Sequence, residues 1–420
     1  MNVNAYPPGD LPAGRAGGHG HRVAPYSAAS VNALMERMPL PVFAPVTGHD
    51  GTGAPLPPAG PYDFSAAQRV HDGRAAESPV AVVRLSLPSA GPPAQYVVRS
   101  HPSAASATQA WLASRLCGAL GLATPTAILV RGCSLAVDGI HDPERLYLAT
   151  PFLPAYESLG RWLEGDAAWR VIDGVPGGAS PACGQARTEA RELGRQVARL
   201  ADAVGPQAGA AAMQARNAHR AVLYGALPDV YQCALERHRL AAMWLDNRDL
   251  FDGDMGNLGI WRDKNDLPYA MTVDFTGCLG MAATPAGAPR CLRSGASAML
   301  GRRLGELRAA DWTNAMPDVL KDPVGVYALA AEMAYRLGRI GTSDILPWAS
   351  VVSALTERFG GDGGGDAPHA RIDRILARRD SLVALLGGTN AAQTWARMYP
   401  TRAAAIGAQQ SRFLASSQYP

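Results

Sequence analysis

At 420 residues the chain is longer than one hydrophobic core usually organises, and 47% hydrophobic against 18% charged residues excludes a wholly disordered protein. The net charge of +3, from 39 basic and 36 acidic residues, is too balanced for a general attraction to nucleic acid or an anionic membrane, so no nucleic-acid partner is expected. Six scattered cysteines without a C-x-x-C pair predict neither a disulfide framework nor a zinc site, and no uninterrupted run of roughly 18 apolar residues predicts a transmembrane segment.

Residues 1–60 are rich in Pro, Gly, Ala and His, carry one candidate short helix at Val31 to Phe43, and lack the apolar core of a signal peptide. They predict a disordered leader. Residues 61–158 predict a small α+β lobe. Two β-rich runs, Ser78 to Pro88 and Ala94 to Ser100, flank a Gly-Pro-Pro turn and make a hairpin. Next, Trp111, Leu112, Leu116 and Leu120 fall at helical spacing within Ala107 to Gly121. Strands follow at Thr126 to Val130 and Arg145 to Leu153.

Residues 159–400 predict a mainly helical second lobe, with helices at Thr188 to Val204, Leu227 to Leu245, Val324 to Leu337, Ser343 to Arg358 and His369 to Leu386. Residues 401–420 are expected to be a C-terminal tail. One β-rich passage interrupts the helices: Asn257 to Trp261 and Tyr269 to Phe275 predict two strands joined by a polar turn. No repeat is visible at periods of 20 to 50 residues.

The chemistry concentrates at that interruption. The run WLDNRDLFDGDMGNLGI, Trp244 to Ile260, holds four aspartates and Asn257. Phosphoryl transfer needs a carboxylate to orient the attacking hydroxyl, an amide to hold Mg²⁺, and a second carboxylate to bridge metal and phosphates. Asp252 and Asn257 have the Asp-x-x-x-x-Asn spacing of a kinase catalytic loop, and Asp274, in VDFTG, follows after the span of a two-strand hairpin. Asn257 and Asp274 can therefore return to one cleft. The competing reading is that these aspartates cap helices and solvate a loop.

This pattern resembles the atypical protein-kinase-like family of HipA-like kinases and phosphatidylinositol 3- and 4-kinases. The resemblance covers about Val70 to Leu386, and only the block from Asp252 to Asp274 is specific. It implies an α+β two-lobed protein-kinase-like fold, with a β-rich N-lobe and a helical C-lobe, that binds ATP and Mg²⁺ and phosphorylates a hydroxyl acceptor, a protein or a phosphoinositide. Asp252 would be the catalytic carboxylate. A rival alignment, in which WLDNRD is the family's Gly-Asn-x-Asp entry, gives that role to Asp249. Asn257 and Asp274 would hold metal.

Two positions depart from the family. Arg99 stands where the phosphate-binding lysine is expected, and Gln109 where its partner glutamate is expected, which predicts a neutral Arg99 to Gln109 hydrogen bond. Gly73, Arg74 and Ser78 are the candidates for a phosphate-covering loop. His101, His141 and His238 lack metal-ligand spacing and are expected to be solvated or satisfied, and the arginine-bearing runs Gly301 to Arg308 and Ala377 to Leu382 to be exposed helix faces. Arg99 and Gln109 also motivate a pseudokinase scaffold, and transfer of AMP would use the same carboxylates.

Thirty-seven of the 39 basic residues are arginine, Lys264 and Lys321 being the exceptions. With the leader, this composition resembles effectors that bacterial pathogens inject into host cells, where host proteins would be partners and scarce lysine would limit ubiquitination. A GC-rich genome gives the same composition to a HipA-like regulatory kinase of the bacterial cytoplasm.

Overall fold

In the computed structural model, the described residues are 61–73, 80–85, 94–132, 145–173, 181–201, 206–227, 229–247, 250, 255–262, 268–279, 323–360 and 367–417. The expected leader, the candidate helix at Val31 to Phe43, His141 and the run Gly301 to Arg308 lie outside them.

Alternation of buried and half-buried residues in β-branched runs builds the first lobe as a sheet. Its strands are β1 (Tyr62–Asp63), β2 (Gln68–Gly73), β3 (Val80–Leu85), β4 (Ala94–Ser100), β5 (Ile128–Arg131) and β6 (Tyr147–Pro151), in the order β1-β5-β6-β4-β3-β2. Only β1 and β5 pair in parallel; the other neighbours are antiparallel. β2 is an addition to the sequence reading. His71 and Gly73, expected in a loop before the first strand, lie on a strand whose Gly73 pairs with Val80.

Helix α1 (Ala104–Ala119) is capped by Ser103, whose hydroxyl accepts from the Ser106 N–H at 3.1 Å. Every residue from Ala107 to Ala119 is buried, so α1 is wrapped on all sides. It packs on β5 and β6 and also meets the second lobe, so it belongs to both cores.

The second lobe opens with β7 (Tyr156–Ser158), α2 (Leu159–Glu164) and α3 (Asp166–Asp173). An antiparallel helix pair follows, α4 (Pro181–Ala201) and α5 (Pro206–Ala226), then α6 (Asp229–Leu245) and the hairpin β8 (Leu258–Arg262) and β9 (Pro268–Thr272). β7 pairs with β8, so the chain crosses between lobes after Pro151, a few residues before the expected boundary at 158. The C-terminal bundle is α7 (Pro323–Gly338), α8 (Thr342–Phe359), α9 (Pro368–Leu385), α10 (Gly388–Met398) and α11 (Pro400–Ser417).

Residues 401–417 are thus a packed helix rather than a tail. Ile406 is fully buried, and Phe413 lies against Gly118 of α1, where a Cβ would meet the ring at 2.4 Å. Gln410 donates to the carbonyls of Ala119 and Arg336, at 3.0 Å each. None of the described helices is long and apolar enough to cross a membrane. The curled six-stranded sheet followed by a helical lobe is the two-lobed, kinase-like α+β arrangement that the resemblance implies.

Candidate active site in the cleft between the lobes

Asp274 stands just beyond β9, and three constraints fix it there. Val273 N–H donates to the Asn257 carbonyl at 3.0 Å, which closes the hairpin and brings the two expected metal ligands to one end of it. Thr272 N–H donates to the Ala123 carbonyl at 3.2 Å, tying the hairpin to the segment after α1. Asn247 Nδ2 donates to the Asp274 carbonyl at 3.1 Å, latching the end of α6 to the same point. Asp246 reaches this arrangement with φ at 52°, a left-handed conformation that aspartate tolerates better than most residues.

The side chain of Asp274 is 8% exposed and divides its partners cleanly. Oδ1 accepts from Thr276 N–H at 2.9 Å and from the Thr276 hydroxyl at 2.8 Å. Oδ2 accepts from Arg99 Nη1 at 2.6 Å, across 175 residues of chain and from the opposite lobe. Gly277 follows with φ at 74°, where a Cβ would strain the turn. Burial pushes the Asp274 carboxyl up, but Arg99 and the Thr276 donors outweigh it and hold the group below its ordinary 3.8.

Arg99 lies on β4, and its partner is Asp274 rather than the expected Gln109. No hydrogen bond joins it to Gln109. The helix α1 turns Gln109 toward Leu279 and the arginines of α9, while the shorter and ionised Asp274 takes Arg99 in a charge-assisted bond. His101, expected to be solvated or satisfied, is buried and partnered on one ring nitrogen. It is 2% exposed, its Nδ1 lies 3.4 Å from Ser106 Oγ, and its Nε2 has no hydrogen-bond partner. Burial lowers its pKa to about 4, with Asp274 acting against burial and Arg99 and Arg145 acting with it. Arg145 braces the same corner, donating to Ser100 Oγ at 2.8 Å and the His101 carbonyl at 3.0 Å. His238 is satisfied in the core, with Nδ1 2.8 Å from Thr272 Oγ1.

Asp249, Asp252, Arg74 and Ser78 lie outside the described residues, and Gly73 is described only as the last residue of β2. Sequence reasoning passed over Asn247, whose signal is its place two residues beyond an apolar helix end. It also misjudged Ala377 to Leu382, where Arg378 is buried and Arg379 donates to the Ile340 carbonyl.

The fit to Mg²⁺ and ATP rests on donor chemistry. Asp274 and Asn257 offer hard oxygens of the kind Mg²⁺ takes, and Asn247 Oδ1 is a buried amide oxygen without a hydrogen-bond partner beside them. Arg99 Nε is likewise a buried donor without a hydrogen-bond partner. Among the described residues no group of three His, Cys, Asp or Glu converges as a complete metal site. These residues suit a metal that keeps substrate phosphates and water as its other ligands.

No protein-family model and no curated protein matches the chain. Among solved structures it is similar to the Helicobacter pylori proinflammatory kinase CtkA, at 11% identity and a TM-score of 0.37, over 81% of this chain and 99% of that one.

Proposed function

We propose that this chain is an ATP- and Mg²⁺-dependent phosphotransferase acting on a hydroxyl of a protein or a phosphoinositide. The observation that carries the reading is the Arg99 to Asp274 ion pair, a cation from the β-rich lobe and a carboxylate from the helical lobe meeting in the cleft. A phosphoryl-transfer site needs those two charges close together, one for phosphate oxygens and one for metal. Asp274 and Asn257 would hold Mg²⁺, and Arg99 would hold phosphate. When bound, ATP supplies the transferred group and Mg²⁺ neutralises its oxygens. Asp252, or Asp249 in the rival alignment, would orient the acceptor hydroxyl. Gly73, with Arg74 and Ser78 beyond it, would cover the phosphates from the tip of the β2–β3 hairpin.

The same ion pair supports a second reading. At 2.6 Å the two charges satisfy each other, and Arg99 must release a carboxylate before it can take a phosphate. A pseudokinase scaffold would keep them paired. One experiment separates the readings: γ- and α-labelled ATP are offered in separate reactions, with and without Mg²⁺, with mixed lysate as acceptor. Mg²⁺-dependent γ label supports the kinase. Transfer of α label alone would make it an AMP transferase, and no transfer of either label would leave the scaffold.

The location that would make host proteins its acceptors is also a proposal, resting on the leader and on the scarcity of lysine. A reporter fused to residues 1–60 should leave a secretion-competent bacterium and stay inside a secretion-deficient one. Retention in both would favour a bacterial cytoplasmic kinase.

A further inference from the structure

Two buried polar atoms beside the Asp274 turn are left over, and they are complementary. Arg99 Nε is a donor without a hydrogen-bond partner, and His101 Nε2 is a ring nitrogen without one. The two residues stand two apart at the end of β4, where the pleat brings alternate side chains to one face. The charges of Arg99 and Asp274 both act on the His101 ring, so the three groups share one corner of the cleft. Gln109, the partner expected for Arg99, is turned to the wall formed with Leu279 and α9.

The surroundings decide which His101 nitrogen carries the proton. Nδ1 lies 3.4 Å from Ser106 Oγ in the first turn of α1, an oxygen that can accept its N–H. Around the ring donors are in excess: Arg99 offers its Nε–H, and Arg145 already donates to the His101 carbonyl. The Asp274 oxygens are taken, Oδ1 by Thr276 and Oδ2 by Arg99. A proton on Nε2 would add one more buried donor without an acceptor, whereas a proton on Nδ1 leaves Nε2 as the acceptor that the corner lacks. Burial keeps the ring uncharged, with its pKa at about 4.

We propose that His101 is the positioning residue of Arg99: when Arg99 leaves Asp274, its Nε–H donates to His101 Nε2, and its two Nη groups are held toward a nucleotide phosphate. The proposal rests on the phosphotransferase reading of the cleft. His101 then fills the place that the family resemblance gives to a helix glutamate. A glutamate would orient Arg99 and also neutralise it. A neutral imidazole orients the guanidinium and leaves its whole charge, and its Nη edge, to the phosphate. Asp274 Oδ2, released in the same exchange, is open to metal.

Two measurements test it. Nitrogen NMR of the full chain with isotope-labelled histidine, compared with His101→Phe or His101→Gln, identifies the His101 ring and its tautomer without any nucleotide. Nδ1 should carry the proton, and a proton on Nε2 overturns the proposal. Equilibrium binding of Mg²⁺-ATP and of adenosine is then measured on variants whose unfolding midpoints show them folded. His101→Phe keeps the bulk and removes the acceptor, and should weaken Mg²⁺-ATP roughly tenfold while leaving adenosine unchanged. His101→Gln, whose carboxamide oxygen can accept from Arg99, should recover most of that loss. In an Arg99→Met background His101→Phe should cause no further loss, because the ring acts only through Arg99. Unchanged Mg²⁺-ATP affinity in His101→Phe, no recovery in His101→Gln, or the same loss without Arg99 overturns the proposal and leaves the phosphotransferase reading in place. A parent chain that binds no Mg²⁺-ATP overturns that reading and the proposal with it.

Discussion

Glu332 on α7 and Asp274 beyond β9 are both carboxylates taken out of water and paired with arginine, yet their surroundings differ in two ways. Glu332 is fully buried and saturated. Its Oε1 accepts from Arg237 Nε at 2.9 Å and from Arg336 Nε and Nη2 at 2.9 and 2.8 Å, and its Oε2 from Arg237 Nη2 at 2.9 Å and Arg402 Nε at 3.3 Å. All three arginines come from the helical lobe. Among the described residues Asp274 has one arginine, Arg99, which comes from the other lobe and keeps 16% of its own side-chain surface exposed. A carboxylate overcompensated within one lobe is fixed there, whereas one whose cation arrives across a cleft can exchange it. The first arrangement holds a fold together and the second is fit for binding.

The largest effect should follow from breaking the saturated site. Glu332→Ala leaves three buried guanidiniums without their anion and should cost about 3–5 kcal/mol in urea unfolding. Asp274→Asn keeps the shape and the Thr276 contacts and should cost about 1–2 kcal/mol while removing Mg²⁺-dependent nucleotide binding. If the Asp274 variant lost as much stability as the Glu332 variant, the two sites would be the same kind of device and the distinction would fail.

Acid sharpens the same contrast. Burial pushes the Glu332 carboxyl up, but its three arginines overcome this and hold it well below its ordinary 4.5. A lowered carboxyl pKa means that the unfolded chain takes protons first. The stabilisation is therefore complete above about pH 4.5 and is lost as pH falls toward the folded value. His101 and His238 act earlier. Burial lowers them to about 4 and about 3 from 6.5, so the unfolded chain binds their protons first and stability falls as pH drops below about 6.5. Unfolding midpoints measured from pH 7 to pH 4 should decline, and His101→Gln should flatten the part of the decline above pH 4.

How much of this was legible in the sequence follows from contrast between apolar and polar faces. The helices that became α6 to α9 carry large apolar residues at regular spacing and were found with ends within a few residues. α5 is Ala-rich and α11 reads RAAAIGAQQS, so neither offers an apolar stripe to detect. α11 meets α1 through one ring over Gly118 and one bond of the Gln410 amide, contacts that depend on a partner helix more than 290 residues earlier in the chain. At the site, local spacing exposed Asn257 and Asp274 because a hairpin is a local structure. Arg99 was visible as a charge at the end of a strand, but its partner was not, because pairing across 175 residues leaves no periodic trace.

Two smaller effects refine the picture. Gly118→Ala forces the Phe413 ring off α1 and should cost about 1–3 kcal/mol, the usual range for overpacking, with the loss absent when Phe413 is also changed to Ala. Asp252→Ala should reduce turnover more than Asp249→Ala, since only Asp252 has the Asp-x-x-x-x-Asn spacing to Asn257. The reverse order would transfer the catalytic role to Asp249 and leave the rest of the site in place.

The most direct test of the account is incorporation of label from γ-labelled ATP by the parent chain and by Asp274→Asn, with unfolding midpoints measured on the same samples. The parent should transfer label only with Mg²⁺, and the variant should transfer none while remaining folded. Equal transfer by both would contradict a phosphotransferase built on the Arg99 and Asp274 pair.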